Sequence, residues 1–452
     1  MRVAPSAAPL PLAPTLRSRA ERRPAARSPR PVSLLGHGPV TQSDGDLSGI
    51  RVLDLAAEPG FFAGKVLGDL GADVVKVEPP EGDRARRRGP FWGGVVDAER
   101  SLLWLALNTS KRGMTLALDR PRGRELFLAL AERADVVLET EAPGSLAARG
   151  LGWETLHARN RRAILCSITP FGQTGPRAAW RGSDLTVVAT SGNLYATGDP
   201  DRAPVRCSLP VSYYHGGLEA AVGVLFALLA RDQSGEGQHV DVSLQAAMVM
   251  PSIGTAAMFR MTGQRGSRVG AFMHAGRTIQ REIWPCRDGF VSFALRGGPA
   301  RVPGLIAMVA YMDEHGMASA RLKAIDWKSY NHNLLTQEDV DFLTREFGAF
   351  FATKTTAELY RAACERSLML APVNTPREIT GSPQLAARGF FVDVENPGRG
   401  TLRYPGAFAV THGARVAIRR PAPRLGEHTA EVLHAHGLAA ADVERLRAEG
   451  VV

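Results

Sequence analysis

Apolar residues along this chain fall into short runs punctuated by glycine and proline, and the runs alternate between two periods. Arg51-Val-Leu-Asp-Leu-Ala56 is a compact apolar run of the kind a buried strand gives. Pro59-Gly60 then opens a helical spacing through Phe61, Phe62, Val66, Leu67 and Leu70, and Gly71 stops it. Ala72-Asp-Val-Val-Lys-Val-Glu78 is a second strand, ended by Pro79-Pro80. Strand, helix and strand within about 30 residues make a βαβ unit, and hence a parallel sheet.

The pattern repeats. Met114 to Leu118 is strand-like, and Asp119 and Pro121 start a helix that buries Leu126, Phe127 and Leu130. Asp135–Leu138 and Ala163–Ile168 are further strands. A strongly apolar helix runs from Gly216 to Arg231, and the turn Ser234-Gly-Glu-Gly237 leads into an alternating strand, His239 to Leu244. Residues 264–300 are then rich in glycine and arginine with short strands such as Phe290 to Leu295, and 303–368 are mainly helical. From Pro372 the chain returns to short loops and ends in a helix, Ala439 to Glu449. This predicts an α/β protein: a Rossmann-like large domain with a parallel sheet, plus a smaller α+β domain. The domains read as a Pro/Arg-rich extension at 1–46, a large domain at 47–264, a small domain at 265–375, and a segment at 376–452 that returns to the large domain. The first turn, Ala57-Glu-Pro-Gly60, lacks Gly-x-Gly-x-x-Gly spacing, which argues against a dinucleotide site.

Composition sharpens the picture at the amino terminus. Residues 1–43 hold seven arginines and one glutamate, leaving +4 of the formal +10 on the rest of the chain. That mild excess can steer an anionic ligand, but it is a weak argument for nucleic acid, and no nucleic-acid motif accompanies it. The segment 1–46 has no helical or strand period and too little apolar surface to offset its ordering entropy. It shares the Arg-rich, acid-poor character of a transit peptide, but its prolines would interrupt an amphipathic helix, so a disordered extension is the favoured reading. Cys166, Cys207, Cys286 and Cys364 are far apart and form no Cys-x-x-Cys pair, which fits a reducing cytoplasm rather than a disulfide or zinc framework. No apolar run reaches the ~20 residues of a membrane span, so no membrane partner is expected.

One side chain stands out chemically. Asp184 lies in Trp180-Arg-Gly-Ser-Asp-Leu-Thr-Val-Val-Ala-Thr-Ser-Gly192, with no Ser-His-Asp set and no metal cluster to compete with it. Aspartate has a reference pKa of about 3.9 and can act as a nucleophile without a general base. The competing reading is a helix-start aspartate, held by free N–H groups and the helix dipole.

Six segments decide between these readings. They are Gly49-Ile-Arg-Val-Leu-Asp-Leu with Leu67-Gly-Asp-Leu-Gly-Ala-Asp-Val-Val-Lys-Val-Glu-Pro-Pro80 and Gly82-Asp83; Leu107-Asn-Thr-Ser-Lys-Arg-Gly-Met-Thr-Leu116; Pro143-Gly144 through Gly150-Leu-Gly152 with Ile168-Thr-Pro-Phe-Gly-Gln-Thr-Gly-Pro176; Ser183-Asp184 with Ser191-Gly192; Gly235-Glu-Gly-Gln-His-Val-Asp-Val-Ser-Leu244; and Pro421-Ala-Pro-Arg-Leu-Gly-Glu-His-Thr429. In this order and spacing the chain, from about Leu47 onward, resembles the class III coenzyme A transferases, also called the CaiB–BaiF family. The resemblance implies transfer of CoA from an acyl-CoA to a carboxylic acid, with CoA as substrate and no permanently bound cofactor. It implies that Asp184 attacks the thioester, forming an acyl-aspartyl anhydride and then an aspartyl-CoA thioester. It also implies an interlocked homodimer.

For the CoA phosphates the resemblance points first to Lys111, with Asn108 and Arg112 beside it. Arg84, in the run Arg84-Ala-Arg-Arg-Arg88, is a second basic candidate, since arginine forks suit phosphate oxygens. The chain departs from the family at Glu139-Thr-Glu-Ala-Pro-Gly144, where many members carry Glu-Asn-Phe-Arg-Pro-Gly. Thr140 therefore replaces an asparagine expected at CoA, Glu141 adds a negative charge, and Arg149 offers a substitute cation one position along from the family's arginine. Met273, His274, Trp284 and Phe293 are candidates for the acyl pocket, with ordinary small-domain core as the equal alternative. Two other functions are weighed. An α-methylacyl-CoA racemase needs two acid/base groups, but Ser183 and Tyr213 stand where the resemblance would put a histidine and an aspartate. His215, nearby, reads better as a packing residue. A non-catalytic acyl-CoA-binding paralogue or partner subunit is the other alternative, motivated by the altered loop.

Overall fold

In the computed structural model, residues 45–411 and 415–452 are described. All but the last two residues of the extension read at 1–46 lie outside them. Six strands form one parallel sheet: β1 (Arg51–Asp54), β2 (Asp73–Glu78), β3 (Lys111–Thr115), β4 (Val136–Glu139), β5 (Ile164–Thr169) and β6 (His239–Ser243). Their order is β3–β2–β1–β4–β5–β6. The direction of winding reverses between β1 and β4, and in open α/β sheets ligands bind at the carboxyl ends of strands beside such a reversal.

Both faces of the sheet are covered, which is why its strands read as near-continuous apolar runs. Val52, Val74, Val136, Leu138 and Cys166 face one core, with Ala220, Ala221 and Val224 of the long helix Val211–Ser234. Leu53, Val75, Val137 and Leu165 face the other, with Phe127 of the helix Pro121–Ala131 and Val432, Leu433, Val443 and Leu446 near the carboxyl terminus. The α/β class and the Rossmann-like parallel sheet are thus those expected from the periodicity.

Two local expectations need correcting. β3 starts at Lys111, not Met114. Its first two residues are polar, and the apolar pattern hides them because their charges are neutralised by partners far away in sequence. The helix read from Gly216 starts at Val211 and runs 24 residues, so one helix among those described is long and apolar enough to span a membrane, with a mean hydropathy of 1.3. Its inner face belongs to the core. Gly216 and Gly217 sit where a Cβ would meet Leu244 Cδ2 at 2.1 Å and Phe62 Cβ at 3.0 Å, so only glycine admits such close packing. Near its end, buried Arg231 pairs with Asp135 at 2.9 Å.

A further core gathers between Trp284 and Leu370. The hairpin β7 (Phe272–Ala275) and β8 (Thr278–Arg281) precedes an antiparallel sheet of β9 (Ile283–Cys286), β10 (Gly289–Phe293) and β11 (Leu370–Pro372). Phe347, Phe350 and Phe351, on the helix Gln337–Ala352, pack into that core with Trp284 and Phe293. A hairpin of β12 (Phe391–Asn396) and β13 (Gly400–Pro405) follows, and its Leu402 and Tyr404 pack with Phe61 and Trp104 of the large body.

Candidate functional site

Asp184 is the first residue of the helix Asp184–Thr190. It does not cap that helix. Ser183 does, in a capping box closed by Thr186, whose hydroxyl accepts the Ser183 N–H at 2.7 Å. The Asp184 carboxylate turns instead to the long helix. Its Oδ1 accepts two hydrogen bonds from Ser212, from Oγ at 2.8 Å and from the backbone N–H at 3.0 Å. Oδ2 takes no hydrogen bond from any described residue. The Asp184 N–H donates to the Tyr213 hydroxyl at 3.2 Å. Asp184 is only 8% exposed, yet it lines a cavity of about 200 Å³ with Asn193, Arg206, Cys207, His215 and Met248. Asp184 is thus the acidic first residue of its helix, with its carboxylate held by Ser212 rather than by the N–H groups of its own helix. His215 lines the same cavity.

Tyr213 links this cavity to the sheet reversal. Its ring lies in a crevice with Glu58 from the turn after β1, Phe62 from the helix that follows that turn, and Tyr214. Burial raises the phenol's pKa, opposed by the hydrogen bond from the Asp184 N–H and reinforced by the Asp184 charge, so it holds its proton at neutral pH. Across the reversal, Thr140 Oγ1 accepts the Ala57 N–H at 2.8 Å. The threonine that replaces the family asparagine therefore ties the end of β4 to the turn after β1.

The basic candidates separate sharply. Lys111 is fully buried and donates to Asp54 Oδ2 at 2.8 Å, Phe61 O at 2.9 Å and Asn108 Oδ1 at 2.9 Å. Burial pulls its pKa down to about 8, opposed by the Asp54 carboxylate. All three donor hydrogens are used inside the protein, so the expectation of a phosphate contact at Lys111 and Asn108 is corrected to an internal charge cluster. Arg112 forms a fork on Asp73 at 2.6 and 2.9 Å and reaches Glu431 at 2.9 Å. It stands at the amino-terminal edge of the sheet, away from the strand ends where ligands bind, which corrects that expectation as well. In the arginine run, Arg86 is buried on Glu78 and stacked on Trp104, whereas Arg84 is exposed and makes no ion pair with any described residue. Arg149 pairs with Glu141 at 2.9 Å, so the extra negative charge of the altered loop is met by the cation expected to serve CoA.

Among the acyl-pocket candidates, Trp284 and Phe293 belong to the core, whereas Met273 is half-buried and His274 exposed. Trp284 is buried and donates to Phe293 O at 2.6 Å; neither these two nor Met273 or His274 lines the Asp184 cavity. Sequence reasoning missed Ser212 and saw Tyr213 only as an absent aspartate. It also missed Glu139, buried at the end of β4, whose carboxyl is pushed up to about 7 by burial, opposed by the Ser167 hydroxyl.

A doubly wound α/β body with a buried carboxylate, one of its oxygens held by Ser212, at a cavity is the arrangement of an α/β enzyme with a carboxylate in its candidate site. The particular family follows from comparison: this chain belongs to CoA-transferase family III, whose model matches residues 47–429. It is a transferase acting on CoA thioesters. It is 34% identical over 409 residues to the succinyl-CoA:(R)-benzylsuccinate CoA-transferase subunit BbsE of Thauera aromatica, covering 90% of this chain and 98% of that one. It is 34% identical over 397 residues to a succinate–glutarate CoA-transferase of Agrobacterium fabrum, covering 86% and 94%. A crystal structure of a CaiB/BaiF family protein from Brucella suis superposes with a TM-score of 0.76 at 28% identity, covering 87% of this chain and all of that one.

Proposed function

We propose that the chain moves CoA from a dicarboxylyl-CoA, succinyl-CoA first among candidates, to a carboxylic acid through covalent intermediates on Asp184. The observation that carries this reading is the division of labour in its carboxylate, one oxygen held by Ser212 and the other unbonded at a cavity. Asp184 Oδ2 attacks the thioester carbon, the C–S bond breaks, and CoA thiolate leaves an acyl-aspartyl anhydride. Thiolate then attacks the aspartyl carbonyl, releasing the donor acid and leaving an aspartyl-CoA thioester. The acceptor carboxylate attacks that thioester, and returning thiolate attacks the acceptor's acyl carbon, which regenerates Asp184. Each step exchanges one activated acyl bond for another, so no ATP is consumed. The choice of succinyl-CoA rests on the two relatives, whose names give succinyl-CoA with benzylsuccinate and succinate with glutarate. Arg84, exposed and without an ion pair among the described residues, is the cation best suited to a CoA phosphate. The active form is proposed to be a homodimer.

The test is incubation with labelled succinyl-CoA, rapid quenching and reading of the label on the chain, with release of that label by hydroxylamine as the check for an activated acyl bond. Label is expected on Asp184 of the native chain, and none on Asp184→Asn, which should lose at least about 1000-fold in kcat. Turnover without any label on the native chain rules out the anhydride route.

A further inference from the structure

Two side chains of one helical turn bear on Asp184, Ser212 on its carboxylate and Tyr213 on its backbone N–H, and neither is explained by the proposed chemistry as it stands. Ser212 is fully buried, and both its donors converge on one oxygen, Oδ1. Rotation of the carboxylate would exchange the two oxygens, and two donors fixed on one of them oppose it. The paired donors also draw charge to Oδ1, while Oδ2 keeps its lone pairs for a substrate.

Tyr213 makes the complementary arrangement. A phenol has one proton to give and lone pairs to accept with. Here a lone pair is taken by the Asp184 N–H, and the proton has no acceptor among the described residues. The titratable groups that act on this ring are Asp184 and Arg88, with Glu58 beside it in the crevice. Burial and the Asp184 charge both favour the protonated phenol. A protonated donor, unused by the protein and held beside a nucleophile, suits an oxygen that gains charge during attack.

We propose that Ser212 is a positioning residue that commits Asp184 to attack through Oδ2, and that Tyr213 is a catalytic residue whose O–H hydrogen-bonds the thioester oxygen as it becomes an oxyanion. The inference rests on the anhydride reading above. As the bond from Oδ2 to the carbonyl carbon forms, the carbonyl π pair moves onto its oxygen and is shared with the phenol proton. Collapse returns the pair to carbon and expels CoA thiolate, and the phenol keeps its proton throughout.

The experiment is single-turnover acylation of the full-length chain by labelled succinyl-CoA, rapidly quenched and read as label on the chain that hydroxylamine releases. It compares the native chain with Ser212→Ala, Ser212→Thr, Tyr213→Phe and a chain carrying 3-fluorotyrosine at 213. Removing one oxyanion donor costs on the order of 100-fold, so Tyr213→Phe should slow acylation by about that factor with KM changed less than about threefold. The fluorinated phenol, a donor of the same shape, should restore acylation, which a purely packing role would not require. Ser212→Ala should slow acylation about 10-fold, and Ser212→Thr should recover most of that. Label on the native chain with equal rates in Tyr213→Phe overturns the role of Tyr213; equal rates in Ser212→Ala overturn that of Ser212. If the chain turns over but takes no label, the anhydride reading fails and this inference fails with it.

Discussion

Glu139 carries a testable cost at the scale of a single residue. It is 4% exposed, and burial pushes its carboxyl from the usual 4.5 up to about 7. A carboxyl with a raised folded pKa binds its proton more tightly in the native state, so its contribution favours folding at low pH and is lost as pH rises through 7. The gap between 4.5 and 7 corresponds to roughly 3 kcal/mol of native-state burden at pH 8. Glu139→Gln carries no charge and avoids it. The variant should therefore unfold at higher urea than the native chain at pH 8, with the difference shrinking towards pH 5. A difference that does not change with pH means that some other effect of the substitution dominates. Among single residues, Asp184 could be singled out in the sequence because the chemistry proposed for it needs only an ionised carboxylate in a matching segment. Ser212 was not, because its significance is a contact across 28 residues of chain that no local pattern encodes.

Between elements, the cluster around Lys111 has the largest structural consequence. Its ammonium joins the start of β3 to Asp54 at the end of β1, to Phe61 at the start of a helix, and to Asn108 in the preceding loop. Asp54 is itself fully buried, with Lys76 as a longer-range partner at 3.9 Å. Removing one member of a buried pair leaves an uncompensated charge and costs about 3–5 kcal/mol. Lys111→Met should lose about that much unfolding free energy in urea titration, while the fraction that remains folded keeps its KM for acyl-CoA within about twofold. A large rise in KM without loss of stability would return Lys111 to the phosphate site. The cluster also explains what the periodicity could and could not reveal. β1, β2 and the helix between them were readable because their apolar residues dominate the pattern despite the buried charges of Asp54, Lys65 and Lys76. The start of β3 was not, because its lysine is paid for by an aspartate 57 residues away.

At the scale of the whole molecule, the outer face of the long helix is the feature a single chain leaves unexplained. Leu218, Val222, Leu225, Phe226 and Leu229 follow helical spacing, and Phe226 is 67% and Leu229 59% exposed. The helix Ile253–Thr262 adds Ile253, Met258, Phe259 and Met261, the last 82% exposed. Apolar surface gathered in this way marks an interface on a soluble protein. A second copy is the occupant that fits the proposed dimer, and coverage by it would account for a long helix that is apolar on both sides. Light scattering of the native chain should give twice the 48.5 kDa chain mass. The double substitution Phe226→Glu and Leu229→Glu places charge on a face that the single chain leaves in water, so it should cost the monomer fold little while breaking association. The variant should therefore elute at the mass of one chain with its helical circular dichroism retained. A native chain that scatters as a monomer, or a double variant that stays dimeric, removes this face from the interface.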